Sequence, residues 1–398
     1  MTANTERDAF GRLPEELRIQ IIKLSPDPLS LQSLAHASPA MGRVLDKYPL
    51  EIVEVVLDVT VPVQTRRLMG AVLRARFSRF PASLSEAQKV AQTDSPAATD
   101  EMRSSRLDRA AAGVRSLLAT AENVHAWSHA CLEYLIRKSM ELRPSTLIKK
   151  GTACTTTINS KTGSIEARIG RIHREEFEKA ENCKDYLPQH TGPPSWVEEQ
   201  RIIKAFWRLQ FFLELQGAGN KGSLGTYWPG QEVDVLSKSS PDGFYDVFDF
   251  EREQILTACE FFGAVTSRTI TSVEAVHDNA RLPTIRRIEG AVPRCSCAEP
   301  PSFEFNKDTF NQGPENLDRT PMSYRFHHAM STTDGWLDGC PLTLVFPFQC
   351  WRKYGFAIWD DKRMADLGMR DPTRRSFFRN YIFYSFRWWS ILNEEERK

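Results

Sequence analysis

Apolar residues in the first sixty positions recur at helical spacing, and prolines cut them into short runs. Leu17, Ile21 and Leu24 stand four and three residues apart, which draws one stripe along a helix, and Ile22 widens it. Pro14 fixes φ near the helical value and lacks an N–H that the first turn leaves unused. The pattern therefore predicts a helix whose first residue is Pro14, with Glu15 and Glu16 against the positive end of its dipole. Asp27-Pro28 restarts the chain with a capping carboxylate and a proline, followed by Leu31 and Leu34 about one turn apart. Ser38-Pro39 starts a third helix through Val44 and Leu45, and Tyr48-Pro49 a fourth. Short helices thus fill residues 10–57. A module of that size is marginal even with a good core, so some of its apolar surface must meet a partner or the rest of the chain.

Beyond it, helical spacing continues through residues 51–80 after a break at Pro62, with Leu68, Val72 and Ala75 on one face. Arg66, Arg67, Arg74, Arg76 and Arg79 make this stretch basic, which reads as a solvated helix face. Residues 81–100 turn to Ala, Ser, Thr, Gln and Pro and read as a linker. Residues 102–142 form a long helical pattern with Gly113 as a candidate bend, closed by Arg143-Pro144. A second linker is expected at 149–164 and a charged helix at 165–187. Residues 195–215 carry the strongest core pattern. Ser195 caps, Glu198 is its capping-box partner, and Ile202, Phe206, Leu209 and Leu213 make the stripe, broadened by Ile203, Trp207, Phe211 and Phe212. Residues 217–230 read as a flexible glycine-rich loop, 244–262 as a helix, and 293–321 as loop. Asp361 is placed as the cap of a helix running to Leu367 and stopped by Gly368, and the aromatic run after Asp371-Pro372 reads as a buried terminal helix. The expected fold is mainly α: a short three-helix module over 10–57, then a larger helical domain over 102–398, with flexible segments near 81–101, 149–164 and 293–321 and little strand.

Charge adds no pull toward a polyanion, because 52 lysines and arginines face 51 acidic residues among 398. Neither nucleic acid nor membrane is therefore expected as a partner. The N-terminus MTANTERDAF lacks the apolar core of a secretory signal, and no apolar run approaches the roughly 20 residues that span a bilayer. Eight scattered cysteines do not make a disulfide framework and are expected reduced, in the cytoplasm and/or nucleus.

Candidate chemistry thins out on inspection. His125, His129 and Glu133 fall at four-residue steps on one helix face, where three side chains can meet a metal, yet the glutamate that follows the first histidine in zinc-protease helices is missing. Cys295 and Cys297, with His327, His328, Cys340 and Cys350, have spacings too short or too isolated for a zinc site. The glycine-rich loop follows a helix and has Lys221 before Gly222, so it is not a phosphate cradle. Asp246, Asp249, Glu251 and Glu253 read as a solvated acidic face. No catalytic residue, metal or cofactor is expected.

One resemblance remains. Leu13-Pro14-Glu15-Glu16-Leu17, Ile21-Ile22, Asp27, Leu29, Leu34 and Ala37-Ser38 together resemble the F-box in the form found in fungal proteins, without the tryptophan that often closes it. The resemblance implies docking on a Skp-type adaptor of a cullin-RING ubiquitin ligase, through Leu13, Pro14, Leu17, Ile21, Ile22, Leu29, Leu31 and Leu34. It also implies that the C-terminal region captures an unknown protein substrate, with no catalysis by the chain itself. Two later segments, Arg201 with Lys204 to Gln210 and Gly355-Phe356 with Trp359-Asp360, are similar to stretches in the C-terminal regions of such proteins. The alternative is a noncatalytic scaffold or interaction protein whose F-box-like helices are structural and bind no ligase.

Overall fold

The first sixty residues fold as their prolines suggest. In a computed structural model, α1 spans Glu15–Lys23, α2 Pro28–Ala37, α3 Pro39–Lys47 and α4 Pro49–Thr60. The model describes residues 8–77, 79–92, 107–144, 147–149, 157–158, 165–166, 177–179, 186–188, 191–269, 282, 320–332, 347–369, 387–388 and 390–396. Pro28, Pro39 and Pro49 open their helices, but Pro14 stands one residue outside α1, in an extended conformation with ψ 150°. Asp27 caps α2 by accepting the Ser30 N–H at 2.8 Å, and Ser38 caps α3 by accepting that of Met41 at 3.1 Å. Gly42 lets α3 approach α2 closely, since a β-carbon there would lie 2.9 Å from the Ala35 carbonyl oxygen.

Among the described residues the remaining α-helices are α5 Val63–Arg76, α6 Leu84–Gln88, α7 Leu107–Met140, α8 Trp196–Asn220, α9 Gly230–Lys238, α10 Pro241–Phe244, α11 Asp249–Thr269, α12 Met322–Thr332, α13 Gln349–Arg352 and α14 Asp361–Asp366. The protein is mainly α, as expected. Its strands are fragments: β1 (Leu147–Lys149) pairs antiparallel with β4 (Phe177–Lys179), and β2 (Thr157–Ile158) with β3 (Ile165–Glu166). At 165–166 and 177–179 these pairings replace the charged helix expected over 165–187, because strand pairing there overrides local propensity, and residues 167–176 and 180–185 of that expected helix lie outside the described residues. The linker expected from residue 81 is likewise partly structured. It begins with α6, buries Ala87, Val90 and Ala91, and is pinned by the Trp228 indole donating to the Pro81 carbonyl at 2.7 Å. Residues 93–106 and 293–319, which include Cys295 and Cys297, lie outside the described residues, as do Cys340 and most of the aromatic terminal run.

Contacts group the chain into two units. The first comprises Met1–Cys131 and Glu199–Glu304, and so takes in residues 10–57. Its aromatic core centres on Trp127, packed on Phe206, Phe261 and Phe262 with ring centroids 5.1 to 6.2 Å apart. It also buries charge. Lys204 and Arg208 on α8 both reach Glu251 at 2.9 Å, and Arg76 reaches Glu214 at 2.6 Å. Burial alone would raise the Glu251 carboxyl, but Arg208 and Lys204 outweigh it and hold it below the usual range. Two sequence expectations are corrected here. Arg76 does not belong to a solvated basic face, nor Glu251 to a solvated acidic one. Each sits within a run of like charge, and the helix turns it toward an opposite charge on another element.

The second unit comprises Leu132–Glu198 and Phe305–Lys398. Its centre is the pairing of Glu198 with Arg363, both buried. The capping box is present: the Ser195 N–H donates to Glu198 at 2.9 Å and the Glu198 N–H to the Ser195 hydroxyl at 3.4 Å. The same carboxylate accepts both Nε and Nη2 of Arg363, and the Asp360 N–H at 3.0 Å. Arg363 also donates to the Pro193 carbonyl at 2.7 Å and lies over the Trp359 ring at 4.9 Å. Asp360, not Asp361, caps α14, accepting the Arg363 N–H at 2.9 Å. Gly355 (φ 80°) and Gly368 (φ 75°) sit in the left-handed region against the rings of Trp359 and Tyr186. Around Trp388 gather Trp351, Phe326 and Phe356, with centroids 4.8 to 5.4 Å away.

Candidate functional site

The eight residues assigned to partner docking lie in the first unit, on and around α1 and α2. They divide by exposure. Pro14 and Leu17 are exposed, Leu13, Ile21, Leu29 and Leu34 are half-buried, and Ile22 and Leu31 are fully buried. The helix geometry explains the division. Leu17, Ile21 and Leu24 share one face of α1, and Ile22 is rotated off it by about 100° for its single step from Ile21. Ile22 points into the core, leaving the two ends of the stripe outside, with Leu17 51% and Leu24 81% exposed and Ile21 half-buried between them. The longest apolar periodicity in the module thus marks its outer face, with α1 packing inward on α3 and α4 through the other side. Leu24, in the stripe but not among the eight, is the most exposed large apolar side chain among the described residues.

Polar ties set the roll of α1. At its start the Glu15 carboxylate accepts from the Lys47 ammonium and the Tyr48 hydroxyl, each at 2.7 Å, and at its end the Lys23 ammonium donates to Glu51 at 2.6 Å. The hydrogen bond from Lys47, joined by that from Tyr48, holds the Glu15 carboxyl below its ordinary range. Upstream, Asp8 accepts from the Ala40 N–H at 2.9 Å, the Ser38 hydroxyl at 2.9 Å and the Phe10 N–H at 3.1 Å. The Ala40 bond leads in lowering the Asp8 carboxyl against the opposing effect of desolvation. The other side of the module is fastened to α7: Gln32 donates to Glu122 at 2.8 Å, and Arg115 forks onto Asp46 at 2.7 and 2.8 Å.

Elsewhere the candidate chemistry does not assemble. His125 and His129 stack with ring centroids 6.0 Å apart. Among the described residues no group of three or more His, Cys, Asp or Glu side chains is placed to hold a metal ion. His327 packs its ring against Phe348 and Trp351. Cys131 is buried, and desolvation pushes its thiol far up, away from the reactive thiolate. Among the described residues no helix is long and apolar enough to cross a membrane. Comparison with protein-family models, with curated proteins and with solved structures finds no match to this chain.

Proposed function

We propose that this chain is a noncatalytic bridge in which the outer face of α1 docks a Skp-type adaptor of a cullin-RING ubiquitin ligase. The rest of the chain captures a protein substrate, without nucleic acid, membrane, metal or cofactor, in the cytoplasm or nucleus. One observation carries the reading. Leu17 on α1 and Leu24 just past its last residue stand exposed on one apolar stripe, with Ile21 half-buried between them, and α1 keeps a single fully buried residue, Ile22. Large apolar side chains held in an exposed row favour a partner surface over scattered surface hydrophobics. The F-box-like spelling around Leu17, Ile21 and Ile22 supplies the adaptor as that partner. Co-purification of the full chain with a Skp-type adaptor tests it, with Leu17→Ala/Ile21→Ala/Leu24→Ala as control. Equal recovery of both proteins removes the ligase reading.

A second reading, a scaffold whose F-box-like helices are structural, draws on a different observation. Ile22 and Leu31 are fully buried, and the module is tied to α7 through Gln32 and Arg115, so these residues serve the fold whether or not an adaptor binds.

A further inference from the structure

We infer that α1 is a strap that opens as a unit before the rest of its module, because polar ties at its ends hold it and apolar burial scarcely does. The contrast with its neighbours is large. α1 fully buries Ile22 alone, whereas α3 buries Ala40, Met41, Gly42, Val44 and Leu45, and α4 buries Pro49, Ile52, Val53, Val56 and Leu57. Local opening follows buried apolar contact, so the helix with least of it exchanges from the most accessible open state. What fastens α1 is the Glu15 pair with Lys47 and Tyr48 and the Lys23 pair with Glu51, while upstream the Asp8 carboxylate holds the preceding turn to Ser38 and Ala40. In the two ion pairs Lys47 and Glu51 are more than half exposed, so these ties weaken as salt shortens the Debye length from about 10 Å at 0.1 M to about 3 Å at 1 M.

Opening has a consequence for the outer face. It frees Ile22 to join Leu17, Ile21 and Leu24, converting a narrow stripe into a wider apolar surface. That last step rests on the proposed docking role, while the strap itself does not.

Amide hydrogen exchange on the full chain, resolved to α1, α3 and α4, tests the strap directly. The expected result is protection in α1 at least a hundredfold below that in α3 and α4, falling several-fold further in 1 M sodium chloride while α4 holds. Lys23→Met, which removes one tie and keeps the side-chain length, lowers α1 protection several-fold without moving α4. Equal protection of α1 and α4 in the unaltered chain, or α1 protection indifferent to both salt and Lys23→Met, overturns the strap. Adaptor binding is measured separately, so a chain with an opening α1 that binds no adaptor fails the docking role alone.

Discussion

Arg363→Ala removes the cation on which the second unit's buried charge rests. The side chain of Glu198 is 0% exposed and that of Arg363 4%, so the pair exchanges little with water. Breaking such a pair from one side costs about 3 to 5 kcal/mol, because the remaining charge stays buried without its counter-ion. Glu198 keeps two backbone donors, the N–H groups of Ser195 and Asp360, which points to the lower end of that range. The Pro193 carbonyl also loses its 2.7 Å partner. Together these give about 3 kcal/mol, a loss of roughly a hundredfold or more in amide protection across α14. The pH dependence supplies a second readout. Burial first, then the Asp360 charge, already raise the Glu198 carboxyl above its ordinary value of 4.5, against the pull of Arg363. Without Arg363 it rises further. A carboxyl whose folded value is raised contributes most below its unfolded value and loses that contribution as pH climbs through the folded one. The deficit of Arg363→Ala therefore shrinks as pH is lowered from 7 toward 4.5. Replacing both partners with apolar residues, Glu198→Leu/Arg363→Met, recovers much of the loss. A deficit under about 1 kcal/mol for Arg363→Ala, or one that grows on acidification, refutes the reasoning.

Glu251→Gln leaves Lys204 and Arg208 buried beside a neutral amide and lowers stability by about 3 kcal/mol in urea unfolding, far more than Asp249→Asn on the same helix, whose side chain is 67% exposed. Gly355→Ala forces a β-carbon to within 2.5 Å of the Trp359 ring in a left-handed backbone, so it costs more than about 1 kcal/mol and shifts the tryptophan emission. The Asp8 carboxyl, held below its ordinary range, is expected to show that lowering when followed by carbon-13 NMR; its contribution to stability is present above the unfolded value and lost as pH falls through the folded one, and Asp8→Asn is expected to abolish that acid limb.

The helices were legible where local chemistry decides them. Proline after a capping Asp27 or Ser38 sets a helix start with no help from distant residues, and these boundaries hold. The capping box at Ser195 and Glu198 was legible for the same reason, but its second role was not, because Arg363 lies 165 residues away and nothing in spacing announces the pair. Arg76 and Glu251 looked solvated since each sits in a run of like charge, and only the fold shows which member of the run is turned inward. The docking face was half legible. Periodicity located Leu17, Ile21 and Leu24 on one side of α1, but periodicity alone does not say whether that side faces core or solvent. Ile22, one position off the stripe, took the core and left Leu17 and Leu24 outside.

The central claim is that this outer face is a docking surface, and affinity measures it most directly. Complete burial of a leucine contributes about 2 kcal/mol, so covering the exposed parts of Leu17 and Leu24, 51% and 81%, is worth about 2.5 kcal/mol, close to a hundredfold in Kd. Calorimetric titration of the full chain with a Skp-type adaptor is predicted to show saturable binding that Leu17→Ala/Leu24→Ala weakens about a hundredfold with little change in Tm. Absence of binding by the unaltered chain, or equal affinity in both, contradicts it.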